Sequence, residues 1–226
     1  VFIVLKPTDA SYLTSLTKSQ IIADLKKYVV ASVEPQIVDP SILYVEMTSK
    51  IYYNGGMTDQ TPSNIRDSVI NAVQSYIDTS DTEKFNGKFR YSKFIGVIDD
   101  ADVSINSNLT SLMMRKDFYP QLNSTFYYEV CFQNAFDEDC DDPVLSSTGF
   151  RVTEYPNFDV YVEDRDKKIV LYRLDSVTGE KVVLDSDIGD IDYVKGELKM
   201  YALTIIKGSF FDNRISLRVR PLSNDI

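Results

Sequence analysis

The sequence predicts an α+β chain: an N-terminal β-α-β-α-α-β open sheet with helices on one face, followed by a mainly antiparallel β domain. Three observations predict it. Apolar residues recur at helical spacing only within the first 119 residues. Two strand–helix–strand segments there suggest crossovers that pack helices onto a sheet. Beyond Pro120 the apolar residues fall in short runs between regularly placed turn residues, with no helical stripe. The boundary is expected at Tyr119–Ser124, giving an α/β domain at 1–119 and a β-rich acidic domain at 120–226.

The first strand is the uninterrupted VFIVL of Val1–Leu5, stopped by Pro7. Thr17 stands three residues before Gln20, a capping-box spacing. Ile21, Ile22, Leu25, Tyr28 and Val29 then recur at helical period, and Pro35 forbids continuation. Asp39-Pro40 separates a short Gln36–Val38 strand from a long one over Ile42–Tyr53. In that long strand Leu43, Val45, Met47 and Ile51 share one face, and Tyr44, Glu46, Thr48, Lys50 and Tyr52 the other. One face is expected to be buried.

After the Gly55-Gly56 turn, Thr61 is a good N-cap with Pro62 at the first helical position. Ile65, Val69, Val73 and Ile77 form the apolar stripe of that helix, which ends near Ser80. A further helix is expected over Phe89–Ile98, with Tyr91, Phe94 and Ile95 toward the core. From Ala101 a strand alternates through Val103 and Ile105. In the second half, Phe126–Phe132 reads as an aromatic strand. Turns are expected at Asp164-Arg165-Asp166, Thr178-Gly179, Lys195-Gly196 and Asp212-Asn213, marking an antiparallel meander or small barrel-like sheet.

Composition narrows the functional classes. An apolar fraction of 43% and a charged fraction of 26% are those of a globular protein. No apolar run approaches the roughly 18 residues needed to span a bilayer, so membrane insertion is not expected. The chain opens at Val1 directly in a strand-like run with no basic leader, and reads as a fragment of something longer. The net charge of −10 argues against nucleic acid, whose backbone needs clustered Lys and Arg. Through Lys116 there are 12 basic and 13 acidic residues, and after it 12 and 21, so the second part carries −9 of the −10.

Histidine is absent, which removes the commonest general base, the Ser-His-Asp and Cys-His arrangements and most zinc sites. Trp is absent too, weakening any sugar-stacking platform. Two cysteines, Cys131 and Cys140, are too few for a disulfide framework and are expected to be reduced thiols.

The remaining constellations have plain readings. Asp137–Asp142 invites a calcium loop, but the sixth and twelfth positions counted from Asp137 are Asp142 and Thr148 rather than Gly and Glu. A solvated acidic loop is the expectation. Asp99, Asp100 and Asp102 could be taken for a glycosidase acid pair, yet a turn between helix and strand uses the same residues as caps. Asn108-Leu-Thr and Asn123-Ser-Thr match the glycosylation triplet by chance in a chain without a leader. No catalytic, cofactor-binding or metal-ligating residue is therefore expected. Tyr and Phe content is the one feature leaning toward contacts, with Phe126, Tyr127 and Tyr128 included. The candidate interface residues are Tyr44, Tyr52, Tyr53, Phe210 and Phe211.

Four segments carry a resemblance: VFIVLKP with IIADLKKYVV, VEPQIVDPSILYVEMTSKIYYN, the helix NIRDSVINAVQSYI, and FNGKFRYSKFIGVIDDADVSI with its Gly96-Val97 step. Together they resemble the baseplate wedge protein of contractile-tailed, T-even-like bacteriophages, within the baseplate J-like group, in its C-terminal portion. The likeness covers the first half well and rests on periodicity and a few Gly and Pro; the second half matches only in general texture. It implies a structural virion protein of the tail baseplate, assembled in the host cytoplasm, without enzymatic activity or cofactor. Its implied partners are copies of itself and neighbouring wedge proteins, joined into a ring that rearranges when the sheath contracts. The rival class is a tail-associated glycan-binding or glycoside-cleaving domain. An unrelated α+β binding module is the third.

Overall fold

A computed structural model describes residues 1–7, 12–30, 33–138 and 142–226, and divides the chain into two compact units, Val1–Leu43 and Tyr44–Ile226. The composition shift near residue 120 falls inside the second unit.

In the first unit, β1 (Phe2–Val4) and β2 (Gln36–Val38) pair in parallel, with Ile3 opposite Ile37. Helix α1 (Ser15–Leu25) makes the crossover that a parallel pair requires. Its N-cap is Thr14, whose hydroxyl accepts from the Thr17 N–H at 3.2 Å, so the helix begins a turn earlier than the Thr17–Gln20 spacing predicts. It also ends at Leu25, short of Tyr28 and Val29.

The second unit opens with β3 (Tyr44–Tyr53), then α2 (Pro62–Thr79), α3 (Tyr91–Asp99) and β4 (Ile105–Phe118). The Thr61-Pro62 start is as expected: the Thr61 hydroxyl accepts from the Asn64 N–H at 3.3 Å. Strands β3 and β4 are antiparallel neighbours, Met47 opposite Leu112. The expected single N-terminal sheet is thus divided. β1 and β2 form their own pair, and the two-helix excursion α2–α3 returns the chain antiparallel to β3 instead of parallel. The expected strand start also moves. Ala101–Ser104 is a turn, Val103 is 83% exposed, and β4 begins only at Ile105.

Val45, Met47 and Ile51 of β3 pack against a core of Val69, Phe89, Phe94, Ile98 and Leu112, together with Ile226. The period-2 reading of β3 holds: its apolar face lies under the helices and its Tyr/Glu/Lys face lies away from them.

The rest is antiparallel: β5 (Thr125–Cys131), β6 (Leu145–Ser147), β7 (Phe150–Val152), β8 (Tyr155–Arg165), β9 (Lys168–Leu174), β10 (Lys181–Asp192), β11 (Glu197–Lys207) and β12 (Ile215–Val219). Pairing runs β8–β7–β11–β10–β9 and then back to β8, so five strands close on themselves. Buried Val152, Val160, Ile169, Leu171, Ile188, Leu198 and Ile205 line these strands. From β8 the sheet continues outward through β6, β12 and β4 to β3, which leaves the helical arm and the barrel on one ten-stranded sheet. The turns at Thr178-Gly179, Lys195-Gly196 and Asp212-Asn213 fall between strands as the sequence predicts. Asp166 and Lys167, at φ 51° and 64°, make the two-residue β8–β9 turn with the positive dihedrals such hairpins need. Asp164 belongs to β8 and is buried, one residue outside that turn's edge.

Candidate interface

The outer face of β3, β4 and β12 is built by register. Tyr44 lies opposite Arg115, and Arg115 opposite Arg218, so one row crosses three strands. Two residues along each strand stand Glu46 on β3, Asp117 on β4 and Ser216 on β12, which point to the same face. Glu46 accepts from Arg115 Nη1 at 2.5 Å and from Arg218 Nε at 2.6 Å. Asp117 accepts from the Ser216 hydroxyl at 2.6 Å and from Arg214 Nη1 at 3.3 Å, and lies 3.2 Å from Arg115 Nε. Partial burial alone would raise the Glu46 carboxyl. Hydrogen bonds from Arg218 and Arg115 outweigh it and hold the group below its ordinary value.

Two rings sit on this lattice. The Arg115 guanidinium lies 4.2 Å from the Tyr44 ring centroid, and that of Arg214 lies 4.4 Å from the Phe210 ring. Next to Phe210, Phe211 is fully exposed. The β11–β12 turn that carries it is tied at several points. Asn213 N–H donates to Phe210 O at 2.8 Å, Ser209 N–H to Arg214 O at 3.1 Å, and Gly208 N–H to the Asn213 side chain at 3.2 Å. A Cβ on Gly208 would lie 2.0 Å from the Asn213 carbonyl, so the turn closes only with glycine there. Tyr119, half exposed, belongs to the same corner. Burial and the Asp212 carboxylate push its phenol up, while Arg214 works against them.

The five predicted interface residues therefore separate into two groups. Tyr44, Phe210 and Phe211 share the Arg115–Arg214 corner. Tyr52 and Tyr53, both exposed, stand at the far end of β3, about 26 Å away at the rise of an extended strand. Lys50 lies 5.3 Å from the Tyr52 ring. Tyr127 is 78% exposed on β5, and its neighbour Phe126 is half exposed.

The other sequence candidates have local partners. Asp99 accepts from the Asn108 amide at 2.8 Å, and Asp102 accepts from the Ser104 N–H at 2.9 Å and hydroxyl at 2.6 Å. These hydrogen bonds hold the Asp102 carboxyl below its usual range. Asp100 ends α3. Of the acidic run, Asp139, Cys140 and Asp141 lie outside the described residues; Glu138 pairs with Lys167 at 2.8 Å. Among the described residues no group of three or more acidic or thiol side chains is placed to hold a metal ion, and no helix is long and apolar enough to cross a membrane.

Two acids escaped the sequence reading because nothing about a β-strand Glu-Asp pair marks it as buried. Glu163, 2% exposed, pairs with Lys181 and, at 3.1 Å, with Arg165. Asp164 accepts from the Leu145 N–H at 2.6 Å and the Tyr193 hydroxyl at 2.7 Å, which fastens β6 and the end of β10 to β8.

Comparison with known proteins bears on the same elements. Residues 1–38 match the family described as baseplate structural protein gp6, C-terminal domain I, and residues 41–117 match its C-terminal domain III. Baseplate wedge protein gp6 of Enterobacteria phage T4 is 33% identical over 121 residues, covering 52% of this chain and 18% of that protein. The matches support a baseplate wedge protein in its C-terminal portion. The junction between the two family domains, at residues 39–40, lies close to the division between compact units after Leu43. Domain III of the family takes in β3, both helices and β4; the closed barrel lies beyond the residues these two models match. The chain spans about a fifth of the length of the curated relative it matches.

Proposed function

We propose that this chain is a structural part of a phage tail baseplate wedge, located in the virion tail baseplate and assembled in the host cytoplasm. It joins copies of itself and neighbouring wedge proteins into the baseplate ring, and rearranges when the sheath contracts. It works through protein contacts, without catalysis or a cofactor. The match of residues 1–117 to two gp6 C-terminal domains carries this reading. The exposed aromatics set among paired arginines support it, because Tyr, Phe and Arg are enriched where proteins meet. On this reading the contacts are made by Tyr44, Phe210 and Phe211 at one corner and by Tyr52 and Tyr53 at the other.

Absolute molar mass by light scattering, over a concentration series into the tens of micromolar, tests the self-association. A mass at or above twice the 25.7 kDa of the chain is expected. A strict monomer that also fails to bind other wedge components removes the assembly role from this part of the protein.

A further inference from the structure

Helix α3 lacks a cap of its own. Its N-cap residue Arg90 makes no side-chain capping hydrogen bond. The cap comes instead from Asp225, 134 residues away, whose carboxylate accepts from the Tyr91 N–H at 2.8 Å and pairs with Arg90 at 3.2 Å. That backbone hydrogen bond holds the Asp225 carboxyl below its usual range. Next to it, Phe89 and Ile226 exchange two backbone hydrogen bonds, 2.6 and 3.1 Å, like a single rung of an antiparallel ladder. The Ile226 side chain packs against the core of Val69, Phe89, Phe94, Ile98 and Leu112. The other end of the segment is held on the barrel side. Pro221 bridges to Phe136, and Leu222 N–H donates to Ala135 O at 2.9 Å. Between these ends Leu222, Ser223, Asn224 and Asp225 are exposed.

We propose that residues 221–226 are a releasable strap, and that the start of α3 is its socket, built to take an extended acidic–aliphatic pair. The socket has three parts: the first-turn N–H groups, which have no partner within the helix, with the Arg90 guanidinium for a carboxylate, the Phe89 backbone for one rung of ladder, and an apolar seat for a branched side chain. Few contacts hold the strap, and solvent reaches most of its length, which are the properties of segments that open locally. Its departure uncaps α3 and uncovers the apolar seat between the helices and the β3–β4 arm. It also disconnects that arm from the barrel at this point, without breaking any strand pair.

Amide hydrogen exchange on the whole chain tests this. In the unaltered protein the Phe89, Tyr91 and Ile226 amides are expected to show one common protection factor, well below that of buried barrel amides such as Val160 and Val170. Protection of all three at the barrel level means the strap opens with global unfolding, and overturns the proposal. In Asp225→Ala the Tyr91 and Phe89 amides are expected to exchange about fivefold faster, the usual scale of a lost cap, with the barrel unchanged. Unchanged Tyr91 exchange also overturns it. If that variant unfolds, barrel exchange rises with the rest and the rates in the unaltered chain decide.

Discussion

Arg115 covers Tyr44 from the neighbouring strand, its guanidinium 4.2 Å from the ring, while the same side chain grips Glu46 two residues along. The ring and the carboxylate on one face of β3 are thus both claimed by a single residue of β4. Arg218 of β12 reaches the same carboxylate from the far side. Glu46 is where three strands are pinned together, so its removal leaves two arginines with one partner fewer.

Glu46→Gln is expected to destabilise the chain by about 1 kcal/mol, the scale of charge-assisted bonds at a half-exposed site. The pH dependence has a definite sign. A carboxyl held below its ordinary value of 4.5 contributes stability that is fully present above that pH and is lost as pH falls through the lower folded-state value. Urea midpoints of the two proteins should therefore differ at pH 7 and converge in acid. A constant gap across that range would mean the loss is one of packing.

At the exposed corner, Phe211→Asp is expected to leave the unfolding free energy within about 0.5 kcal/mol of the parent, since the ring touches solvent on every side. The same variant should lower the mass measured by light scattering. Tyr52→Asp, at the other end of β3, separates the two corners. Whichever variant leaves the mass unchanged removes its corner from the self-contact.

Asp164→Ala is expected to cost about 3 kcal/mol, because it leaves the Leu145 N–H and the Tyr193 hydroxyl buried without their acceptor. Chemical denaturation measures it. Asp164→Asn keeps an acceptor oxygen for one of the two and should fall between the variant and the parent.

The two left-handed glycines respond differently to Ala. At Gly179, φ 72°, nothing lies within reach of a new Cβ, so only the backbone cost of about 1 kcal/mol is expected. At Gly196, φ 68°, the Cβ would stand 2.0 Å from the Asn134 carbonyl, and the loss should be clearly larger. Equal losses in thermal unfolding would mean that the residue 134 loop yields freely.

What the sequence made legible was local. Thr61-Pro62 marks the start of α2 because a hydroxyl cap and a fixed φ act within one turn. The alternation of β3 assigns its buried face, and the Thr178-Gly179 and Lys195-Gly196 turns assign two of the β-domain hairpins. Partners distant in sequence left no such mark. Nothing in INSNLTSLMMRKDF says that β4 pairs with a strand 97 residues on, nor that Asp225 caps α3. The same holds for the separate β1–β2 pair, since the period of an apolar run does not reveal which sheet it joins. Among the interface candidates, aromatic content named Tyr44 and Phe210 but not Arg115 and Arg214 laid over their rings, which only the fold brings there.

The place of β12 has a consequence for how the chain is made. It is the strand that joins β4 to β6, and it comes near the end of the sequence. A ribosome adding about 5–20 residues per second needs roughly 5–20 seconds to travel from Phe118 to Ile215. Throughout that interval β4 has β3 on one side and an open row of backbone donors and acceptors on the other, its apolar Leu112 and Met114 already committed. Newly made chains are thus most prone to stick to one another during that interval, and the arrival of β12 ends the exposure.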